Sequence, residues 1–347
     1  MAELLSTAPE DIERAARALK EGKLVAFPTE TVYGLGADAT NTTALARVFE
    51  AKRRPTFDPL IVHIARSEEL PSVADLSQLS AERRTLVTRL IEQFWPGPLT
   101  LILPKQPHVP DLATSALPTV AVRLPAHPVA QDLIRRTGLP VAAPSANPFG
   151  YLSPTRAEHV KEQLGNKVDF IIDGGRSDVG VESTVLDLSS EEVTILRPGG
   201  LARERIESLI GPVHQIDRTT KHPTAPGQLP SHYAPRAALS LYPAGGIPLQ
   251  FPAQGERTAC LFFSDASRAQ WLASFQSANP GMEAPLCQVL SHSGSLIEAA
   301  ANLFDLLHQL DALAVDRILA ERVPDRDLGP AINDRLYKAR GEAKGNH

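Results

Sequence analysis

The stretch Pro28-Thr29-Glu30-Thr31-Val32-Tyr33-Gly34-Leu35-Gly36 sets small hydroxyls and glycines directly after a short apolar run, Leu24 to Phe27. Glycines let backbone approach a ligand closely, and threonine hydroxyls both donate and accept hydrogen bonds. Taken alone, the same residues also make a glycine-rich turn with capping threonines. A second cluster, Lys52-Arg53-Arg54-Pro55, ends a helical pattern and leads through Asp58 to the apolar run that carries His63. Cations suit a helix C-terminus. Beside a rigid proline they also form a compact clamp for a polyanion, because guanidinium grips phosphate bidentately. His63 by itself reads as a core histidine. In the third cluster, Ala143-Pro144-Ser145-Ala146-Asn147-Pro148 closes a strand pattern and Ser153-Pro154 follows, so prolines hold the Ser and Asn groups in fixed directions. Arg123, within Val120 to Leu124, and Arg197, after Val193 to Leu196, stand at strand ends. A partly buried arginine needs an anionic partner. One would mean an internal salt bridge; several, together with Lys52 and Arg54, fit a triphosphate plus a carboxylate.

Other chemistries lack their residues. The chain has no G-x-x-x-x-G-K-[ST] phosphate loop, no H-E-x-x-H and no cysteine pair at metal spacing. Gly34, Gly36 and Ala39 match G-x-G-x-x-A, but six residues separate Phe27 from Gly34 and the next helical pattern starts only near Thr42. A dinucleotide fingerprint needs a tight strand–glycine–helix junction. No Ser/His/Asp or Cys/His arrangement stands out.

The elements that must position these groups alternate between helix and strand. Thr7 and Glu10 have capping-box spacing, and Ile12, Ala15, Ala16 and Leu19 then form an apolar stripe ending at Gly22. Strands are expected at 24–27, 60–64, 99–103, 120–124, 140–143, 168–172, 184–188 and 193–196, with helices interleaved at 128–137, 155–164 and 202–210. Some strands follow each other too closely for helical crossovers, which predicts an α/β domain with a mixed sheet over residues 1–210. From 211 to 236 the periodicity stops and five prolines accumulate, as in a linker. Regular alternation resumes with strands at 238–242, 258–263, 285–290 and 315–320 and helices at 267–276, 295–310 and 330–340. That predicts a small Rossmann-like α/β domain over 237–347, whose basic tail, Arg335 to Lys344, reads as a solvated helix end.

Composition bounds the class. Of 347 residues, 43% are hydrophobic and 22% charged, and 35 Lys and Arg against 40 Asp and Glu leave a net charge of −5. This excludes a protein held to nucleic acid or membrane by bulk charge. No apolar run approaches the ~20 residues of a membrane span, and Met1 to Lys20 is too acidic for a secretory signal. Cys260 and Cys287 are the only cysteines, which fits a reducing cytosol better than a disulfide scaffold. A cytoplasmic location is expected.

The motifs PTETVYGLG at 28–36, KRRP with PLIVH at 52–63, PSAN at 144–147, ESTVLDL at 182–188, LRPGG at 196–200 and SHYAP at 231–235 occur in that order. Together they resemble the Sua5/YrdC family of threonylcarbamoyl-AMP synthases, in its long form with an added C-terminal domain. The resemblance implies a YrdC-like twisted mixed sheet with helices. It also implies a nucleotidyltransferase that makes threonylcarbamoyl-AMP and pyrophosphate from L-threonine, bicarbonate or CO2, and ATP. The product would pass to a separate transferase complex for tRNA t6A37 modification, with a weak contact to tRNA allowed.

Carried over by position, the family's K-x-R…S-x-N signature falls on Lys52, Arg54, Ser145 and Asn147. Thr31, His63, Arg123, Ala143 and Ser183 would contact threonine. Arg54, Asp58, Thr119, Ser145, Ser153, Arg197 and Ser231 would contact ATP. Asp58 stands where many relatives carry Asn, and an anion there needs a ribose, an adenine amine or a metal as partner. Mg2+ would arrive with ATP through phosphate oxygens and water, so no dedicated metal site is expected. His232 and Tyr233 are an odd pair for a passive spacer. They suggest that the linker folds back as a lid, with Tyr233 over the ligands and Ser231 or His232 on the adenylate; a plain tether is the alternative. Two rival readings remain. A double-stranded RNA or tRNA-binding module is disfavoured by the acidic balance. A carbamoyltransferase-type enzyme using carbamoyl phosphate would not release pyrophosphate in response to threonine.

Overall fold

The structure, a computed structural model, describes residues 1–216, 225, 233–250 and 256–340; Ser231 and His232 of the expected ATP site and lid lie outside them. The chain divides into two units, residues 1–149 with 153–229 and residues 150–152 with 230–347.

The first unit begins with strand β1 (Glu3–Leu5), helix α1 (Pro9–Lys20), strands β2 (Val25–Phe27) and β3 (Gly34–Asp38), helix α2 (Thr42–Lys52) and strand β4 (Ile61–His63). It continues through α3 (Ala81–Phe94), β5 (Leu99–Pro104), α4 (Asp111–Thr114), β6 (Thr119–Arg123), α5 (Pro128–Thr137) and β7 (Val141–Ala142). It closes with α6 (Ala157–Leu164), β8 (Phe170–Ile172), β9 (Thr184–Asp187), β10 (Thr194–Arg197), α7 (Arg203–Ile210) and β11 (His214–Gln215). The apolar stripe of α1 is buried as its spacing predicts, but the Thr7–Glu10 capping box does not form. The N-cap is Ala8, Pro9 begins the helix, and the Asp11 carboxylate instead accepts from the Ser6 N–H and hydroxyl. Helix α2 starts on Asn41, whose side chain accepts from two backbone N–H groups, and stops at Arg53, in the left-handed region at φ 52.

Among the described residues eleven strands join in one mixed sheet, ordered β1-β8-β2-β3-β7-β4-β6-β5-β9-β10-β11. The glycine-rich stretch after Phe27 is not only a turn: it returns as β3, antiparallel to β2, with Gly36 opposite Val25. A side chain at Gly36 would meet the Phe27 ring at 2.8 Å. The sheet also extends past the boundary expected at residue 210, because β11 pairs in parallel with β10.

Strand periodicity sorts the two faces. Leu60, Val62 and Ile64, with Val120, Val122 and Leu124 and with Leu99, Leu101 and Leu103, turn toward a core that also holds Phe94 and Trp95. The alternate residues, Ile61, Ala121, Ile102 and Val185, turn the other way and form a smaller apolar cluster with Leu196 and Ala225. Ala225 is fully buried there, so part of the proline-rich segment packs on the first unit's sheet.

The second unit contains β12 (Ala238–Tyr242), β13 (Thr258–Ser264), α8 (Asp265–Ala278), β14 (Leu286–Ser291), α9 (Leu296–Ala312), β15 (Arg317–Glu321) and α10 (Gly329–Ala339). Its four described strands are all parallel, ordered β12-β15-β13-β14. The end of α10 is not solvated as its composition suggests. Arg335 is fully buried, its guanidinium 5.1 Å from the Tyr233 ring, and Lys338 is buried with its ammonium on Asp334. Tyr233 also packs against Phe304, so the residue expected to cover a ligand is enclosed by its own unit.

Candidate active site

On the face of the sheet that carries Ile61 and Ala121, register lines up a row of side chains across five strands. His63 of β4 pairs with Arg123 of β6, Arg123 with Thr100 of β5, Thr100 with Val185 of β9, and Val185 with Arg197 of β10. In-register neighbours project to the same side. The row therefore holds two buried guanidinium groups, an imidazole and a hydroxyl beside the apolar floor of Ile61, Ala121 and Ile102.

Each charged group is held by named partners. Arg123 Nη1 donates to Thr31 Oγ1 at 2.8 Å, Nη2 to Glu30 Oε1 at 2.6 Å, and Nε to the Gly97 carbonyl at 3.2 Å. Thr31 Oγ1 also lies 2.8 Å from Thr29 Oγ1, which fixes the turn that follows β2. Arg197 donates to the Ser183 carbonyl from Nε and Nη2 and to Ser183 Oγ at 3.1 Å; Ser183 Oγ in turn sits 2.7 Å from Thr100 Oγ1. Gly199 permits this arrangement, since a side chain there would lie 2.3 Å from the Ser183 backbone. Ala143 continues β7, its N–H donating to the Ile61 carbonyl at 2.9 Å. The His63 ring is buried, with Nδ1 3.2 Å from the Ile61 carbonyl. Burial, and then the Arg123 charge, push its pKa down to about 3, so the imidazole is neutral.

A second group flanks the row. Arg54 donates to the carbonyls of Asp58 and Pro59 at 3.0 and 2.8 Å, and its Nη2 lies 2.8 Å from Asp58 Oδ2. Asp58 is fully buried, and its Oδ1 has no hydrogen-bond partner among the described residues. Burial raises its pKa against the pull of Arg54, Lys52 and Arg197. Lys52 departs from the expected polyanion clamp. Its ammonium is fully buried and donates to the Ser145 carbonyl at 2.5 Å and to the Asn147 carbonyl. It fastens the PSAN turn to the end of α2, and burial holds its pKa well below the ordinary lysine range. Arg53 caps α2 and is exposed, leaving Arg54 as the arginine of that cluster that turns inward.

Thr31, His63, Arg123, Ala143 and Ser183 thus gather along one face, with Arg197, Arg54 and Asp58 beside them. Thr119 shares the face of Arg123 but begins the same strand, about 13 Å away at ~3.3 Å per residue. Ser145 and Asn147 are placed by Lys52. Ser153 is fully buried and donates to Glu182 Oε1 at 2.5 Å. Sequence reasoning passed over the two glutamates. Glu30 and Glu182 sit inside the quoted motifs PTETVYGLG and ESTVLDL. The signal was available only in part, because buried arginines demand carboxylates but Asp38, Asp173 and Asp187 also stand at strand ends. Among the described residues no group of three His, Cys, Asp or Glu side chains converges on a metal-sized site.

Comparison with known proteins finds relatives along nearly the whole chain. Residues 17–199 match the Sua5/YciO/YrdC family model described as "Telomere recombination", and residues 201–341 match the model of the threonylcarbamoyl-AMP synthase C-terminal domain. The threonylcarbamoyl-AMP synthase of Bacillus subtilis is 41% identical, covering 97% of this chain and 95% of its own. That of Pyrococcus abyssi is 43% identical over 95% of this chain and 94% of its own. The crystal structure of P. abyssi Sua5 complexed with L-threonine superposes with a TM-score of 0.82 at 39% identity, covering 98% of both chains.

Proposed function

The chain belongs to the threonylcarbamoyl-AMP synthase family of nucleotidyltransferase-type enzymes, and on that premise we propose how the first unit's residues divide the reaction. The substrates are L-threonine, bicarbonate or CO2, and ATP. The threonine amine adds to the carbon of CO2 and loses a proton, giving a carbamate. A carbamate oxygen then attacks the α-phosphorus, the bond to the β-phosphate oxygen breaks, and pyrophosphate leaves.

No nucleophilic side chain is needed, so the protein contributes position and charge. Arg123 uses three N–H groups on Glu30, Thr31 and Gly97, and its remaining two are free for the threonine carboxylate. Thr31 and Ser183 face the threonine hydroxyl, and the apolar floor faces its methyl. His63, held neutral by burial and the Arg123 charge, serves as an uncharged wall. Arg54 and Arg197 neutralise the polyphosphate, while Lys52 fixes the turn that offers Ser145 and Asn147. Thr119, farther along the face, takes the far end of ATP, and Ser153 joins through Glu182. Mg2+ bound to the phosphate oxygens would add charge neutralisation there, without a protein cage of its own.

Carbamates and adenylates decompose in water, so cover matters. Ala225, packed on the floor beside Ile61 and Ala121, covers the face at that point. The product would go to a transferase acting on tRNA, which fits a cytoplasmic setting. No described helix is long and apolar enough to cross a membrane.

The observation that carries this reading is the in-register row from His63 to Arg197 over an apolar floor. Pyrophosphate release from ATP, measured with and without threonine and bicarbonate, tests it. Release should require both. Release independent of threonine would refute the assignment.

A further inference from the structure

Cys260 and Cys287, the only cysteines in the chain, lie far from each other in sequence and side by side in the fold. Cys260 of β13 pairs directly with Cys287 of β14, an adjacent parallel strand. Partners in register point to the same face, and neighbouring strands run about 4.8 Å apart. That separation falls inside the Cα range of about 4.4–6.8 Å that a disulfide spans. Both thiols are free.

The two sulfurs differ in access. Cys260 is buried in the cluster of Phe262, Trp271 and Phe275 beneath α8. Cys287 packs at the margin of that cluster, is only partly buried, and belongs to the edge strand of the sheet. Of the two cysteines, Cys287 is the one that keeps some exposure.

We propose that Cys260 and Cys287 form a reversible dithiol–disulfide site that exchanges with low-molecular-weight disulfides of the glutathione type. In the first step the Cys287 thiolate attacks one sulfur of the oxidised tripeptide. A mixed disulfide forms and one tripeptide thiolate leaves. Cys260 then gives up its proton to that thiolate or to water, attacks the Cys287 sulfur and expels the second tripeptide thiol. The protein dithiol loses two electrons and one small disulfide becomes two thiols, so the exchange balances.

The electrostatics favour this division of labour. Cys287 Sγ donates to the Pro285 carbonyl at 3.3 Å, and the neighbouring Cys260 thiol, with Arg268 nearby, draws the Cys287 pKa below the usual thiol range. The same interaction, together with burial, drives the Cys260 thiol up. The attacking and resolving roles therefore fall on different residues. The bridge would join the edge strand to its neighbour around the segment that contains α8. It touches none of the residues assigned to the first unit's chemistry.

The test treats the reduced full-length chain with oxidised glutathione, then alkylates it in denaturant and weighs it. Two alkylated cysteines are expected before treatment. After it, none is expected, with an intact mass lower by about 2 Da and no retained tripeptide. Cys260→Ser should hold one tripeptide on Cys287, because nothing resolves the mixed disulfide. Cys287→Ser should leave a thiol unreactive until the chain unfolds. Cys260→Ala, made in parallel, guards against a folding defect from a buried hydroxyl. Threonine-dependent pyrophosphate release in each variant should match the parent. A wild-type chain that keeps the tripeptide on Cys287 with Cys260 still alkylatable would overturn the proposal. So would disulfide-linked dimers, or thiols that do not react in the folded chain.

Discussion

Glu321 of the second unit and Asp58 of the first are both carboxylates withdrawn from water, yet their oxygens meet different company. Glu321 ends β15, at one edge of a cavity of about 680 Å³ that Ile247, Phe263 and Trp271 also line. It accepts from the Phe263 N–H at 2.7 Å, the Ser267 hydroxyl at 2.5 Å and the Gly245 N–H at 3.3 Å. Those donors come from β13, α8 and the loop after β12, so one carboxylate ties three segments together. Among the described residues Asp58 meets one guanidinium and keeps an oxygen without a partner, as does Glu30 at Oε2. A buried polar atom left unpaired is costly, and native cores rarely tolerate it without a reason. On the proposed function, the contrast separates a carboxylate that holds a fold together from carboxylates beside the proposed substrate face.

That contrast can be broken most directly by removing one partner in each unit. Arg123→Ala leaves the Glu30 carboxylate buried without its cation and should cost about 3–5 kcal/mol in denaturant unfolding. Adding Glu30→Gln should restore much of the stability and none of the threonine-dependent turnover. If the double variant recovers activity, Arg123 is only a structural partner. Glu321→Ala orphans three donors and should cost about 3 kcal/mol, with pyrophosphate release per folded molecule unchanged. Loss of activity in folded Glu321→Ala would erase the distinction between the two carboxylates.

A smaller effect comes from His63, whose pKa is depressed to about 3. The unfolded chain takes up a proton as pH falls below about 6.5, while the folded chain stays neutral until far lower. Stability should therefore fall on acidification through this window, by about 2 kcal/mol between pH 6.5 and 5. Urea titrations at the two pH values should show the loss in the wild type and a flatter response in His63→Gln. An identical slope in both would place the proton elsewhere. The smallest expected effect reads the apolar floor: serine lacks the methyl of threonine and should be used less well by about 1 kcal/mol in kcat/KM. Equal use of the two amino acids would remove Ile61 and Ala121 from the threonine pocket.

How much of this was legible in the sequence follows from the range of the interactions involved. Strand alternation in Thr119–Arg123 and the strand-end positions of Arg123 and Arg197 are local patterns, and the strands that carry them are present in the fold. The helices and strands of the second unit likewise follow from local periodicity. What escaped was pairing at long range. Lys52 looked like one member of a cation cluster because nothing near it in sequence shows the Ser145 and Asn147 carbonyls that receive its ammonium. Arg335 looked solvated because Tyr233, about a hundred residues earlier, supplies the aromatic face it covers. β11 and Ala225 sit in a stretch with no periodicity at all, so only the finished sheet reveals that they belong to it.

The pairing of β1 with β8 also bears on how the chain is made. Glu3 lies opposite Phe170 and Leu5 opposite Ile172, and β2 leans on the same partner. Synthesis at ~5–20 residues per second leaves roughly 10–30 s between the emergence of β1 and that of the strand it pairs with. During that interval the first unit cannot close its sheet, and the unpaired edges of β1 and β2 are open to any strand that reaches them first. The second unit keeps β13 beside β14 with only α8 between, so its first pair can form almost as soon as it leaves the ribosome. The segment translated earliest is thus among the last to find its place.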